Sequence, residues 1–206
     1  MRVGAGVGAG ARQGRAMSGV EVRLLGELTV VRDGVALRLP ASKKTRALLA
    51  YLVATGRAHL RERLCDLLWE GPEDPRAELR WSLTKLRPLL NEDGRPRLLA
   101  GRERVGVEAR DLDIDLVRVR ALLAPEPSKA PAAALRAAIQ LLEGEFLDGL
   151  DLAACPRFYE WCVGEREAVS VLRVSALREL LGRLAGAPEE ALAYARKWTA
   201  ADPLSE

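Results

Sequence analysis

Apolar and polar positions change period several times along the chain, and each change predicts an element. In VEVRLLGELTVVRDGVALRLP, residues 20–40, short alternating runs are punctuated by Gly26 and by Asp33-Gly34. Alternation at period two with Asp-Gly between the runs predicts a hairpin, so a small antiparallel sheet ending at Pro40 is expected. The period then lengthens. In SKKTRALLAYLVATG, Leu48, Leu49, Leu52 and Val53 share a face, Ser42 can cap the start and Gly56 follows the end, which predicts a first helix. LRERLCDLLWEG predicts a shorter second helix with Leu60, Leu64, Leu67 and Leu68 inward and Trp69 closing it. After the stiff turn GPEDP, Asp74 can cap a third helix and Pro75 can open it. Its sequence AELRWSLTKLRPLL places Leu79, Leu83, Leu86 and Leu90 on one buried stripe. PRLLAGRERVGVEA then gives two short apolar runs about Gly101-Arg102-Glu103-Arg104, a second hairpin with a basic tip.

From DLDIDLVRVRALLA onward the pattern becomes helix after helix. The proline-rich PEPSKAP connects to an Ala/Leu-rich helix AAALRAAIQLLEG, FLDGLDLAACP reads as a loop, and a long amphipathic segment follows from Arg157, eased at Gly164. In PEEALAYARKWTAADPLSE, small residues at Ala191 and Ala195, Trp198, and a stop at Asp202-Pro203 are the composition of a tetratricopeptide-like helical hairpin, although no clean 34-residue period runs through the segment. The expected organisation is a flexible tail over 1–19, a strand, three-helix and hairpin domain over 20–110, and an all-α domain over 111–206, with the chain stopping where another repeat would begin. The order within 20–110 is that of an α+β winged helix-turn-helix domain, in which the third helix reads DNA and the hairpin is the wing.

Charge sharpens that division. Residues 1–110 hold 21 Lys and Arg against 13 Asp and Glu, whereas residues 111–206 hold 11 against 16. Such asymmetry suggests that the first half meets a polyanion. Lys43, Lys44 and Arg46 crowd the first turn of the first helix, where cations oppose the helix dipole unless that surface faces phosphates. On the third helix Trp81, Thr84 and Lys85 point away from the leucine stripe, and Arg80 and Arg87 project from one flank.

Other chemistries find little support. Cys65, Cys155 and Cys162 are too scattered for a disulfide framework and read as buried thiols, and His59, the only histidine, sits in an expected loop with no ligand spacing and no GxSxG elbow. The opening GAGVGAG lacks a preceding strand and a following capped helix, so it reads as tail and not as a phosphate loop. No metal, cofactor or catalytic residue is expected. No apolar run reaches the roughly 18 residues that span a bilayer, and no signal-peptide core precedes the first element, so the expected location is the cytoplasm.

The phrases LLGELTVVRDGVALRLPASKKTRALLAYLVATG, LRERLCDLLWEG, PRAELRWSLTKLRPLL and FLDGLDLAACPRFYEWCVGERE occur in an order that resembles the SARP/AfsR-type bacterial transcriptional regulators. In that family an OmpR/PhoB-like winged helix is followed by a bacterial transcriptional activation domain (BTAD) of tetratricopeptide-like helices. The resemblance covers residues 20–206. It implies a third helix in the major groove carrying Arg76, Arg80, Trp81, Thr84, Lys85 and Arg87, and a wing at the minor groove carrying Arg102 and Arg104. It also implies binding to direct repeats near promoters, RNA polymerase contact through GPEDP, and an activator role. No receiver domain is recognisable and no GxxxxGK[ST] occurs, so the ATPase segment of larger relatives is absent from these residues.

Arg and Lys can donate to guanine O6 and N7, Thr84 can offer its hydroxyl or methyl, and Trp81 can pack on sugar or a thymine methyl. Lys43, Lys44, Arg46 and Arg102 suit phosphates, which fix register. Arg80 and Arg87 carry an alternative, an ion pair with the second helix or the wing. The aromatic RFYEWC reads as core, and the helical domain is expected to form a homodimer or to lean on the winged helix. The reading from a different class is a protein-interaction adaptor whose winged helix has lost DNA binding.

Overall fold

The computed structural model describes residues 19–71, 74–92 and 94–201. The expected tail therefore lies outside the described residues but for Gly19, as do Pro72 and Glu73 of the GPEDP turn and the Asp202-Pro203 stop.

The first sheet contains β1 (Val20–Arg23), β3 (Thr29–Arg32), β4 (Val35–Ala36) and β8 (Asp113–Ile114), in the order β4-β3-β1-β8. The Asp-Gly hairpin forms as expected: Arg32 pairs with Val35, and Asp33 and Gly34 both take positive φ, 50° and 80°, as a two-residue type I′ connection requires. The sheet is nevertheless mixed and not purely antiparallel, because β8 runs parallel to β1 with Val22 opposite Ile114. Two residues are too few to show a period, and DLDIDL is embedded in a charged run, so this strand carried no pattern of its own.

Between β1 and β3 the short β2 (Gly26–Glu27) pairs parallel with β9 (Phe146–Asp148), a strand inside the segment read as a loop. Backbones meet there so closely that a Cβ on Gly144 would lie 2.6 Å from the Gly26 nitrogen, which leaves room only for glycine.

The helices of the first half are α1 (Lys43–Thr55), α2 (Arg61–Leu68) and α3 (Pro75–Leu90). Ser42 accepts from the Thr45 N–H, and Gly56 ends α1 at φ 60° with its N–H on the Leu52 carbonyl, a left-handed stop that glycine supplies without strain. A three-stranded sheet, β5-β7-β6, combines β5 (His59–Leu60), β6 (Leu98–Ala100) and β7 (Arg104–Val107). The second hairpin thus forms, but His59 stands in a strand against Val105 and not in a loop. It is buried, its ring is tilted against that of Tyr51 with centroids 4.7 Å apart, and its Nε2 lies 2.7 Å from the Thr55 hydroxyl. Leu60 and Leu67 are only half-buried, while Leu64, Leu68 and Trp69 are core.

The second half holds α4 (Asp115–Leu122), α5 (Ala132–Leu141), α6 (Pro156–Arg183) and α7 (Pro188–Ala201). Helix α6 runs unbroken through Gly164, and α7 packs on it with Ala191, Tyr194 and Trp198 against the core.

Both halves share one apolar core that continues from Val20 to Leu184. At its centre the buried Asp115 carboxylate accepts the N–H groups of Leu24 and Leu25, 2.9 Å each, tying the end of β1 to the start of α4. Trp161 of α6 lies edge-on to Tyr51 of α1 at 4.8 Å and also touches Phe146 and Phe158. The Cys155 thiol donates to the Leu68 carbonyl at the end of α2. The aromatics of RFYEWC are thus the seam by which the helical half leans on the first three helices, although Tyr159 stays exposed.

Candidate nucleic-acid interface

Helix α3 is held at both ends. At its start the Asp74 carboxylate accepts from the Ala77 N–H at 2.8 Å, and Pro75 occupies the first turn, where its missing N–H costs nothing. At its end Arg32 of β3 donates through Nη2 to the carbonyls of Pro88, Leu89 and Asn91 at 3.0–3.1 Å. These are carbonyls that the end of a helix leaves without intrahelical partners. The cation also sits favourably at the negative end of the helix dipole. Nothing local marks Arg32 for this role, since the two ends of the contact are separated by 56 or more positions in the chain.

One face of α3 is core: Leu79, Ser82, Leu83, Leu86, Leu89 and Leu90 are buried. The Ser82 hydroxyl lies 2.9 Å from that of Thr45 on α1, a buried polar pair that fixes the crossing of the two helices and leaves neither hydroxyl unsatisfied. Beyond α3, the Asn91 side-chain oxygen accepts the N–H groups of Arg97 and Leu98 and so aims β6. Arg97 itself is 1% exposed, with one nitrogen on Glu92 at 2.8 Å and another on the Arg110 carbonyl at 2.9 Å. This buried cation ties both flanks of the hairpin to the helix and is a structural residue that the sequence pattern concealed.

The six expected residues are all exposed, Trp81, Thr84 and Lys85 on the opposite face and Arg76, Arg80 and Arg87 on one flank. Trp81 is 48% exposed, with the Lys85 ammonium 5.4 Å from its ring centroid, within the range of a cation–π contact. The Thr84 hydroxyl donates back to the Arg80 carbonyl. Arg80 meets its own N-cap, Asp74, at 3.7 Å, and Arg76 meets Glu62 of α2 at 3.1 Å. The ion pair with the second helix is therefore made by Arg76 and not by Arg80 or Arg87. Arg87 forms no salt bridge among the described residues.

The flanking cations fall in two groups. Lys43 is exposed and Lys44 half-buried at the start of α1, while Arg46 folds back toward the Ala41 carbonyl at 3.5 Å. Arg102 and Arg104 are exposed on the second hairpin, Arg102 at the tip and Arg104 already within β7. The hairpin is docked on the start of α2: the Arg61 Nε donates to the Gly101 carbonyl and the Arg61 N–H to that of Glu103, both at 2.9 Å.

Two depressions follow α3 on either side. Toward the hairpin is a cleft of about 540 Å³ whose walls include Arg61, Glu62, Arg76, Arg80, Arg102 and Glu103. On the other side a groove of about 570 Å³ is lined by Leu37, Leu39, Trp81, Pro88 and Leu89 together with Arg38 and Lys85. The arrangement presents a ridge of one aromatic and several cations between two hollows, a surface suited to a polyanion of helical shape.

Elsewhere, burial pushes the thiols of Cys65 and Cys162 up, which keeps them in the unreactive protonated form. No group of three or more His, Cys, Asp or Glu residues could hold a metal ion among the described residues. Nor is any described helix long and apolar enough to cross a membrane.

Residues 114–206 match the family model of the bacterial transcriptional activator domain. The helical half is thus similar to the activator domain of bacterial transcription regulators, and the match begins at the residue that closes β8. Among solved structures, Mycobacterium tuberculosis EmbR in complex with a low-affinity phosphopeptide is similar over 89% of this chain and 59% of that one, at 23% identity and a TM-score of 0.54. At that identity the likeness is one of fold. The chain spans about three fifths of the length of that neighbour. No curated protein matches it.

Proposed function

We propose that the chain is a sequence-specific DNA-binding transcriptional activator of the SARP type. In this reading residues 20–110 form an OmpR/PhoB-like winged helix, α3 enters the major groove and the β6–β7 hairpin is the wing. Residues 111–206 form the activation domain. The observation that carries the reading is the outward face of α3, where Trp81, Thr84 and Lys85 contribute nothing to the core yet are held on a helix fixed at both ends. A helix positioned this firmly supports base reading, because direct readout depends on side chains arriving at base edges in fixed geometry.

Lys85 is the base-reading residue of first choice, with Trp81 and Thr84 beside it. Lys43, Lys44 and Arg102 contact phosphate, Arg104 acts from the wing, and Arg46 contributes less because it turns back on the chain. Arg76 and Arg80 reach DNA only by leaving their carboxylates. The segment from Gly71 to Pro75 contacts RNA polymerase, two copies occupy direct repeats, and the protein works in the cytoplasm without catalysing a reaction.

Selection from random duplexes tests this reading. One motif should enrich, and affinity for it should fall with salt on a log-log slope of roughly −0.9 per phosphate neutralised. No enriched motif and a slope near zero would establish the adaptor reading instead.

A further inference from the structure

The cleft between α2, α3 and the second hairpin holds four arginines, yet its capacity for an anion is far smaller than that count suggests. Arg61 is committed to the Gly101 carbonyl at 2.9 Å and serves to anchor the hairpin. Arg80 stands against Asp74 at 3.7 Å. Arg76 meets the Glu62 Oε1 at 3.1 Å, with both side chains projecting freely, 71% and 75% exposed. Arg102 makes no salt bridge among the described residues.

Glu62 is not needed for the fold by any contact of its own. It lies in the first turn of α2, where an acidic side chain gains a little from the dipole, but its carboxylate reaches outward to Arg76, one of the two arginines that α3 brings to the cleft. Resting on the DNA-binding reading above, we infer that Glu62 is an affinity-setting gate: in the free protein it occupies Arg76, and a DNA phosphate enters the cleft only by displacing it. An exposed ion pair is weak, because each partner is well solvated and the pair is screened. The gate is therefore soft. It lowers affinity for DNA of every sequence without choosing among sequences, which is left to Trp81, Thr84 and Lys85.

A double-mutant cycle on the full chain separates this gate from the general effect of removing a negative charge. Glu62→Gln keeps the size of the side chain and removes its charge. Binding is titrated for a random duplex and for the selected motif at about 0.15 M salt, where charges more than about 8 Å apart are largely screened. Glu62→Gln should tighten both duplexes by a similar factor, about two- to fivefold on the usual strength of exposed pairs. In an Arg76→Ala background the same substitution should give no such gain.

A gain of equal size without Arg76 would overturn the gate, since the carboxylate would then act only through its long-range field. A changed motif on repeating the selection with Glu62→Gln would also overturn it, by making Glu62 a base reader. Wild-type binding with no gain in Glu62→Gln removes the gate and leaves the DNA reading intact. Failure of wild type and variant alike to bind any duplex removes both.

Discussion

Trp81 and Trp161 stand on two helices of the same chain with similar sequence surroundings, an aromatic among charges on an amphipathic segment, and they end in opposite situations. Trp81 carries Lys85 over its ring, lines an open groove and is 48% exposed. Trp161 sits among Tyr51, Phe146 and Phe158, joining α6 to α1 and β9. The first is surface kept clear of the core. The second is the seam that makes the strand-and-helix half and the helical half a single packed body. Reading function from aromatic residues therefore turns on which partners the fold brings to them, and those partners are distant in sequence.

The largest effect is expected at the seam. Trp161→Ala should cost about 3 kcal/mol, at the low end for loss of a large aromatic because the ring is half-buried. Denaturant unfolding should show one earlier transition for the whole chain. Two separate transitions in the wild type would mean that the halves are independent. Next, Asp115→Ala removes the acceptor for the buried Leu24 N–H and the part-buried Leu25 N–H, which follow directly on β1. Measured in the same way, it should cost about 1–3 kcal/mol, the penalty of one buried group left unsatisfied, since the Leu25 N–H is part-buried and can reach water.

His59 adds a pH dependence to the seam. Burial first, and then Arg57 and Arg63, lower its pKa below the ordinary 6.5. The folded state thus takes up the proton less readily than the unfolded chain, so the stability this contributes is complete above pH 6.5 and is lost as the pH falls through the lower, folded pKa. Denaturation midpoints should drop across that interval, and His59→Gln should flatten the drop. A midpoint that rises on acidification would reverse the assignment.

At Trp81 the smallest stability effect is expected. Trp81→Ala should alter folding stability by no more than about 0.5 kcal/mol, as surface substitutions do, while weakening DNA binding. A loss near that of Trp161→Ala would show that Trp81 belongs to the core after all.

Helix α3 was legible in the sequence because it is long, periodic and marked at its start by Asp74-Pro75. The Asp-Gly hairpin was legible because two residues decide its turn. Strands β5, β8 and β9 were not, since two or three residues show no period and each exists only through a partner elsewhere: β7, β1 and β2. The candidate surface divided in the same way. Exposure of Trp81, Thr84 and Lys85 followed from helical spacing, whereas Arg80 and Arg87 sat on a flank that spacing left ambiguous and Arg76 entered only through the family resemblance. The pairing of Arg76 with Glu62, the support from Arg32 and the buried Arg97 depend on tertiary neighbours that spacing does not encode.

In the proposed function the outward face of α3 reads bases while the start of α1 holds phosphates. Comparing Lys85→Ala with Lys44→Ala on the selected motif and on random duplex tests it most directly. Lys85→Ala should lose at least about fivefold more affinity on the motif than on random DNA, in line with about 1–3 kcal/mol for a good base contact, and Lys44→Ala should lose the same factor on both. Equal losses on the two duplexes for Lys85→Ala would contradict the claim and return that face to a solvated helix surface.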